Sequence, residues 1–419
     1  MGRITGFKSS TTGLDVGIDL VEKSYLIDRY PELADTFKQA GLWTWGYNGY
    51  GQLGDGTVGN DGDTDNSKSS PVQTVAGGTN WKQVSCGSYN IGGIKTDGTL
   101  WIWGLGSSGQ LGHNLPPPVP NWEGVSSPIQ TVAGGTNWKQ LSIGLQGSSA
   151  IKTDGTLWSW GVNIYGELGD NSRTNRSSPV QTVSGGTNWK QVSFGNSFVG
   201  AIKTDGTLWT WGYNFYGQLG NNDRTDRSSP VQTVAGGTNW KQVSSSNANS
   251  VAAIKTDGTL WTWGNNNAGQ LGDNTIVDKS SPVQTVAGGT NWKQVSSSNA
   301  CAAIKTDGTL WLWGANNVGQ LGNNTTTNRS SPVQTVAGGT NWKQVSSGGA
   351  AIGAIKTDGT LWTWGYGYNG ELGTNNRTDR SSPVQTVAGG TNWKQFDCCG
   401  GNSVAAIRDD SADIFGNPV

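Results

Sequence analysis

The chain has 419 residues, of which only 14% are charged and 33% hydrophobic, and Gly alone accounts for 66. Lys and Arg number 28 against 29 Asp and Glu, so no bulk field would draw in nucleic acid or an anionic membrane. No apolar run approaches membrane-spanning length, which argues against membrane insertion.

Residues 1–40 form a non-repeating head. Gly13 to Val21 alternates like a short strand, and Pro31 to Ala40 reads as a short helix stopped by Gly41. A segment this small must dock on the rest of the chain or on a partner. Nothing hydrophobic follows Met1–Gly6, so no secretory signal is expected and synthesis is placed in a cytoplasm.

From Leu42 onward one unit recurs. Leu-Trp-x-Trp-Gly begins at Leu42, Leu100, Leu157, Leu208, Leu260, Leu310 and Leu361, in steps of 50 to 58 residues. Each copy runs through the same parts. A Leu-Trp-x-Trp strand leads into four variable residues, Gly-Gln/Glu-Leu-Gly and a polar loop. Ser-Ser-Pro-Val-Gln starts a second strand, Trp-Lys-Gln-Val-Ser a third, and Ala-Ile-Lys a fourth. Thr-Asp-Gly then turns the chain into the next copy, with Asp-Gly read as a two-residue hairpin turn.

Four antiparallel strands repeated seven times predict an all-β fold, a seven-bladed β-propeller spanning residues 41–410, with a tail at 411–419. The first copy lacks its Ala-Ile strand, and the chain ends on one with no Leu-Trp after it. The C-terminal strand at about 403–410 should therefore pair with the N-terminal strand at about 42–46. That pairing closes the ring within one blade and leaves no open edge.

Of the 22 Trp, only Trp122 falls outside the repeat positions, and the rest are read as core. Cys86, Cys301, Cys398 and Cys399 are too few and irregular for a disulfide framework or a zinc site. The adjacent Cys398-Cys399 reads as two small residues at a strand end. One His, in an inserted loop, leaves a Ser-His-Asp site without support, so no enzyme and no cofactor is expected. Asp61, Asp63 and Asp65 alternate like a calcium loop but lack its Gly and its final Glu, so no metal is assigned.

The variable tetrads are the best candidates for binding, because they change while the frame stays constant. Tyr47, Asn48, Tyr50, Asn163, Tyr165, Tyr213, Asn214, Phe215, Tyr216, Tyr366, Tyr368 and Asn369, with Trp122 from the second inserted loop, form the candidate set. Exposed Tyr beside amide side chains suits stacking on a surface glycan or contact with a protein partner. The alternative is tolerant turns drifting after duplication.

The unit Asp205-Gly206 through Trp211-Gly212, then Gly217-Gln-Leu-Gly220 and Pro230, closely resembles the RCC1 (regulator of chromosome condensation) repeat. The resemblance covers every blade and implies a seven-bladed propeller. Two departures matter. The turn before the Ala-Ile strand, Ser245 to Ser250 for example, lacks the His usual in the family, and none of these turns contains Trp. The nucleotide-exchange and ultraviolet-reception activities known in the family therefore do not carry over. The near-verbatim copies and short head are similar to the RCC1-repeat proteins of tailed bacteriophages. That likeness implies a virion-associated protein contacting a virion subunit or host receptor. A free lectin-like or scaffolding propeller and, less directly, an exchange factor for a small GTPase are the alternatives.

Overall fold

The computed structural model describes residues 40–59, 66–75, 80–114, 124–400 and 402–409. The strand and most of the helix expected in the head, the tail, Trp122, and Asp61, Asp63 and Asp65 lie outside the described residues. Ala40, the last residue of that expected helix, instead opens the first strand.

Among the described residues twenty-eight strands, numbered β1–β28 in chain order, form seven four-stranded antiparallel sheets. The second blade shows the plan. From the axis outward it contains β3 (Trp81–Cys86), β4 (Asn90–Lys95), β5 (Leu100–Gly104) and β6 (Val125–Gln130). The closing blade mixes the two chain ends, in the order β2 (Lys68–Gln73), β1 (Ala40–Gly46), β28 (Ser403–Asp409), β27 (Trp393–Cys398). Seven consecutive pairs, from Ala40 with Asp409 to Gly46 with Ser403, join its halves without a bulge. The expected closure is therefore the observed one.

The hairpin between β4 and β5 differs from the two-residue turn expected. Gly98 N–H bonds to Lys95 O and Lys95 N–H to Thr99 O, leaving three residues in the loop. Gly98 takes φ +81°, the left-handed residue of a turn followed by a bulge. Asp97 Oδ1 accepts from both the backbone and the hydroxyl of Thr99, which explains the Asp in all six of these hairpins.

The core lies between blades. One cluster joins Phe198, Ile202, Leu208 and Leu219 of the fourth blade to Trp240, Val243, Val251 and Trp263 of the fifth. The second Trp of each Leu-Trp-x-Trp is wholly buried, at a gain of roughly 5 kcal/mol each as an upper bound. Its indole N–H also crosses to the preceding blade, as Trp103 Nε1–H does to Gln52 O at 2.9 Å. Gly54, at φ +64°, allows that approach, because a Cβ there would press on the Trp103 indole. Gly-Gln-Leu-Gly is thus the latch between neighbours.

The first Trp of each copy is a correction to the core reading, since these rings are only partly buried. With the deeper Trp of Trp-Lys-Gln they sandwich a cation. Lys203 Nζ stands 4.9 Å from the Trp189 ring and 4.6 Å from Trp209, and Arg408 fills the same place in the closing blade between Trp43 and Trp393.

A second correction concerns the cysteines. Cys86, at the end of β3, forms a disulfide with Cys399, just beyond β27, while Cys301 and Cys398 are free and buried. The pairing spans 313 residues of sequence and becomes local only when the ring closes.

Candidate functional site: an axial well and its aromatic rim

Because strands alternate in direction, the turn after the innermost strand and the loop after Leu-Trp-x-Trp-Gly emerge on one face of the disc. The Thr-Asp-Gly turns lie on the other. Everything variable therefore shares the first face.

At its centre the innermost strands β3, β7 (Trp138–Ile143), β11 (Trp189–Phe194), β15 (Trp240–Ser245), β19 (Trp292–Ser296), β23 (Trp342–Gly348) and β27 surround the axis. Side chains complete the ring that their backbones cannot. Gln83 donates Nε2–H to Leu141 O, and its Oε1 accepts from Leu141 N–H. The same exchange joins Gln140 to Val192, Gln191 to Val243, Gln242 to Val295, Gln294 to Val345 and Gln395 to Val84.

Two residues along each strand the pattern repeats with hydroxyls. Ser85 Oγ accepts from Ile143 N–H at 3.1 Å, Ser142 from Phe194, Ser193 from Ser245, Ser244 from Ser297, Ser296 from Ser347 and Ser346 from Cys398. The seventh place is Asp397, whose Oδ2 accepts from Cys86 N–H at 2.9 Å and Oδ1 from the Ser346 hydroxyl at 2.8 Å.

These residues line a polar axial cavity of about 130 Å³. Asp397 is its one carboxylate, and burial pushes its pKa up to about 6 against the pull of those two bonds. Sequence reading missed this residue, although a signal was present: six copies read Trp-Lys-Gln-Val/Leu-Ser and one reads Trp-Lys-Gln-Phe-Asp.

The tetrads divide in two. Their candidate amides are not exposed, contrary to expectation. Asn48, Asn163 and Asn214 are fully buried, and Asn369 nearly so. Asn163 Oδ1 accepts from Leu168 N–H, and its Nδ2 donates to Asp170 Oδ1, Ser172 O and Thr174 O. Asn214 and Asn48 centre their loops in the same way. An amide with all its hydrogen bonds made inside its own loop has nothing left for a ligand. Asn369 instead donates its backbone N–H to Glu371 Oε2.

The rings are different. Tyr165 of the third blade lies 4.6 Å from Tyr213 of the fourth, which stacks with Phe215 and meets Tyr216 edge-on. Phe215 is 58% exposed and neighbouring Ile164 53%. Desolvation, then Tyr216 and Tyr165, raises the Tyr213 pKa. A second ridge joins Tyr47 and Tyr50 to Tyr89, which sequence reading overlooked because it lies in an inner turn of the next blade. A third pairs Tyr366 with Tyr368, 59% exposed. The first two ridges therefore cross blade boundaries, and the third lies within a single tetrad.

In the Gly-Gln/Glu-Leu-Gly element, Gln52, Gln110, Gln218, Gln270 and Gln320 each accept the backbone N–H two residues earlier. Glu167 and Glu371 do the same with a carboxyl oxygen. Burial pushes their pKa values up to about 7 and about 8, and Glu371 Oε1 has no partner. Among the described residues no group of three or more His, Cys, Asp or Glu could hold a metal ion.

Comparison with known proteins follows the architecture. A family model described as the RCC1-like domain matches residues 126–417, and models of the RCC1 repeat match 40–91 and 81–110. The ultraviolet-B receptor UVR8 of Arabidopsis thaliana is 30% identical over 257 residues, covering 59% of this chain and 54% of the receptor. The mitochondrial RCC1 domain-containing protein RUG3 of the same plant is 29% identical over 254 residues, covering 59% and 55%. The chain thus spans about half the length of these two relatives.

Human WBSCR16 superposes with a TM-score of 0.75 at 20% identity, covering 88% of this chain and 99% of its own. Prp20p of Saccharomyces cerevisiae gives 0.74 at 17%, covering 90% and 94%. At such identities the likeness is one of fold. With seven closed blades, the repeat motif in each and a domain match over most of its length, the chain belongs to the regulator of chromosome condensation (RCC1) repeat family.

Proposed function

We propose that the protein is a non-enzymatic binding module whose variable face docks a protein partner through its aromatic ridges. The observation that carries this reading is the ridge Tyr165–Tyr213–Phe215–Tyr216. Phe215 stands exposed beside Ile164, with three half-buried Tyr rings packed around it, on a frame that otherwise repeats almost verbatim. Aromatic side chains bring large contact area at low entropic cost, which suits a protein interface. The relatives are compatible with it: Prp20p is described with binding to Gsp1p and histones, and yeast RCC1 (Prp20) is also known bound to Kap60.

A photo-crosslinking residue at position 215 or 368 tests the reading, with position 234 on the outer turn as control. Protein adducts formed from the first two positions and not the third support it. A glycan array in which binding disappears on substituting Tyr50, Tyr165 and Tyr216 would replace it with a lectin-like role. A nucleotide-release assay against small GTPases tests the exchange-factor alternative. The virion-associated role, contacting a virion subunit or host receptor, is a finer proposal that rests on the style of the repeat. Detection of the protein in purified particles would test it.

A further inference from the structure

We infer that the axial well binds a protonated primary amine, with Asp397 as its counter-charge. Asp397 does more than the structure of the ring requires. In six blades a serine hydroxyl is enough to accept the neighbouring backbone N–H, and Asp397 performs that duty with Oδ2 alone. The remaining negative charge faces a cavity whose other lining residues are hydroxyls, amides, backbone and apolar or sulfur side chains, with no cation among them. Holding an uncompensated carboxylate in such a place is unfavourable, and a cationic occupant removes the cost.

The surroundings select the kind of cation. A divalent metal wants several anionic oxygens, and the well has one carboxylate. A guanidinium pairs best with both carboxylate oxygens at once, but here they are engaged separately, by Cys86 N–H and the Ser346 hydroxyl. An ammonium group needs three acceptors around a point charge. Asp397 Oδ1 and the flanking serine oxygens, each with a lone pair beyond its backbone bond, supply that set. The cavity, of about 130 Å³, has room for an ammonium on a short alkyl stem. Asn247, also in the lining, lies so close to Gly400 that any side chain there would collide with its amide. A quaternary nitrogen has no N–H to offer these acceptors.

The test is titration calorimetry on the full chain with methylammonium chloride at constant ionic strength and pH 8, where amine and carboxylate are both charged. Saturable binding is expected, weakened at least tenfold in both Asp397→Ser, which restores the serine of the other blades, and Asp397→Asn. Potassium and tetramethylammonium should not compete. Absence of saturable binding, equal binding by both variants, or equal competition by potassium overturns the inference. Nα-acetyl-lysine amide distinguishes the source. Tighter binding than methylammonium identifies a lysine side chain of a partner, weaker binding a free amine, and both sustain the site.

Discussion

Replacing Glu371 by Gln should stabilise the protein, and the gain should depend on pH. Five blades carry Gln at this place with the same backbone bond, so the substitution adds no new shape. The Glu371 carboxyl is fully buried, and desolvation moves its pKa from 4.5 to about 8. A carboxyl whose pKa is raised on folding leaves stability intact below about pH 4.5 and erodes it as pH climbs toward 8. At about 1.4 kcal/mol per pH unit the loss is about 3 kcal/mol at pH 7 and about 5 kcal/mol above pH 8. With an unfolding entropy of about 2.1 cal/mol/K per residue over roughly 370 ring residues, Glu371→Gln should raise Tm by about 4 °C at pH 7. The gain should vanish near pH 4. Glu167, raised to about 7, should behave alike at pH 7 but level off near about 3 kcal/mol. Thermal melts from pH 4 to 9 provide the measurement. An offset independent of pH, or a lower Tm for the Gln variant at pH 8, would refute the reasoning.

Other expectations follow from the same contacts. Reduction of Cys86–Cys399, or Cys399→Ser, should lower stability by up to about 6 kcal/mol on a chain-entropy argument for a 313-residue span. Urea titration with and without dithiothreitol measures it, and an unmoved midpoint counts against the staple. Trp313→Phe removes the indole donor to Gln270 O and should cost about 1–3 kcal/mol, again read from urea midpoints. Gln294→Ala strands both the N–H and the C=O of Val345 and should cost about 2–4 kcal/mol, whereas Phe215→Ala should stay within about 0.5 kcal/mol of the parent.

The fold was legible because its signals are local and repeated. Leu-Trp-x-Trp-Gly, Thr-Asp-Gly and the split first copy contain blade count and closure without any long-range information. The partly read features depend on contacts between copies. Nothing in Asn163 announces that its amide turns inward, since only the path of residues 170–174 makes it a loop centre. Tyr89 joins Tyr50 from another blade, and Cys86 meets Cys399 across the closing seam. Asp397 was visible as a break in the serine pattern, but its meaning required knowing that this position faces the axis.

Near-identical copies pose a problem of address. An inner strand ending in Trp-Lys-Gln-Val-Ser fits beside almost any neighbour, so a folding chain can pair the wrong blades or recruit those of a second molecule. The seam is labelled by what the copies lack: Phe396 in place of Val, Asp397 in place of Ser, and a cysteine whose only disulfide mate, Cys86, lies on the adjoining blade. Pairing of β28 with β1 brings Cys86 and Asp397 into register, and pairing of β28 with any other strand does not. The closing blade thus carries its own mark of correct closure, independent of whatever the face above it binds.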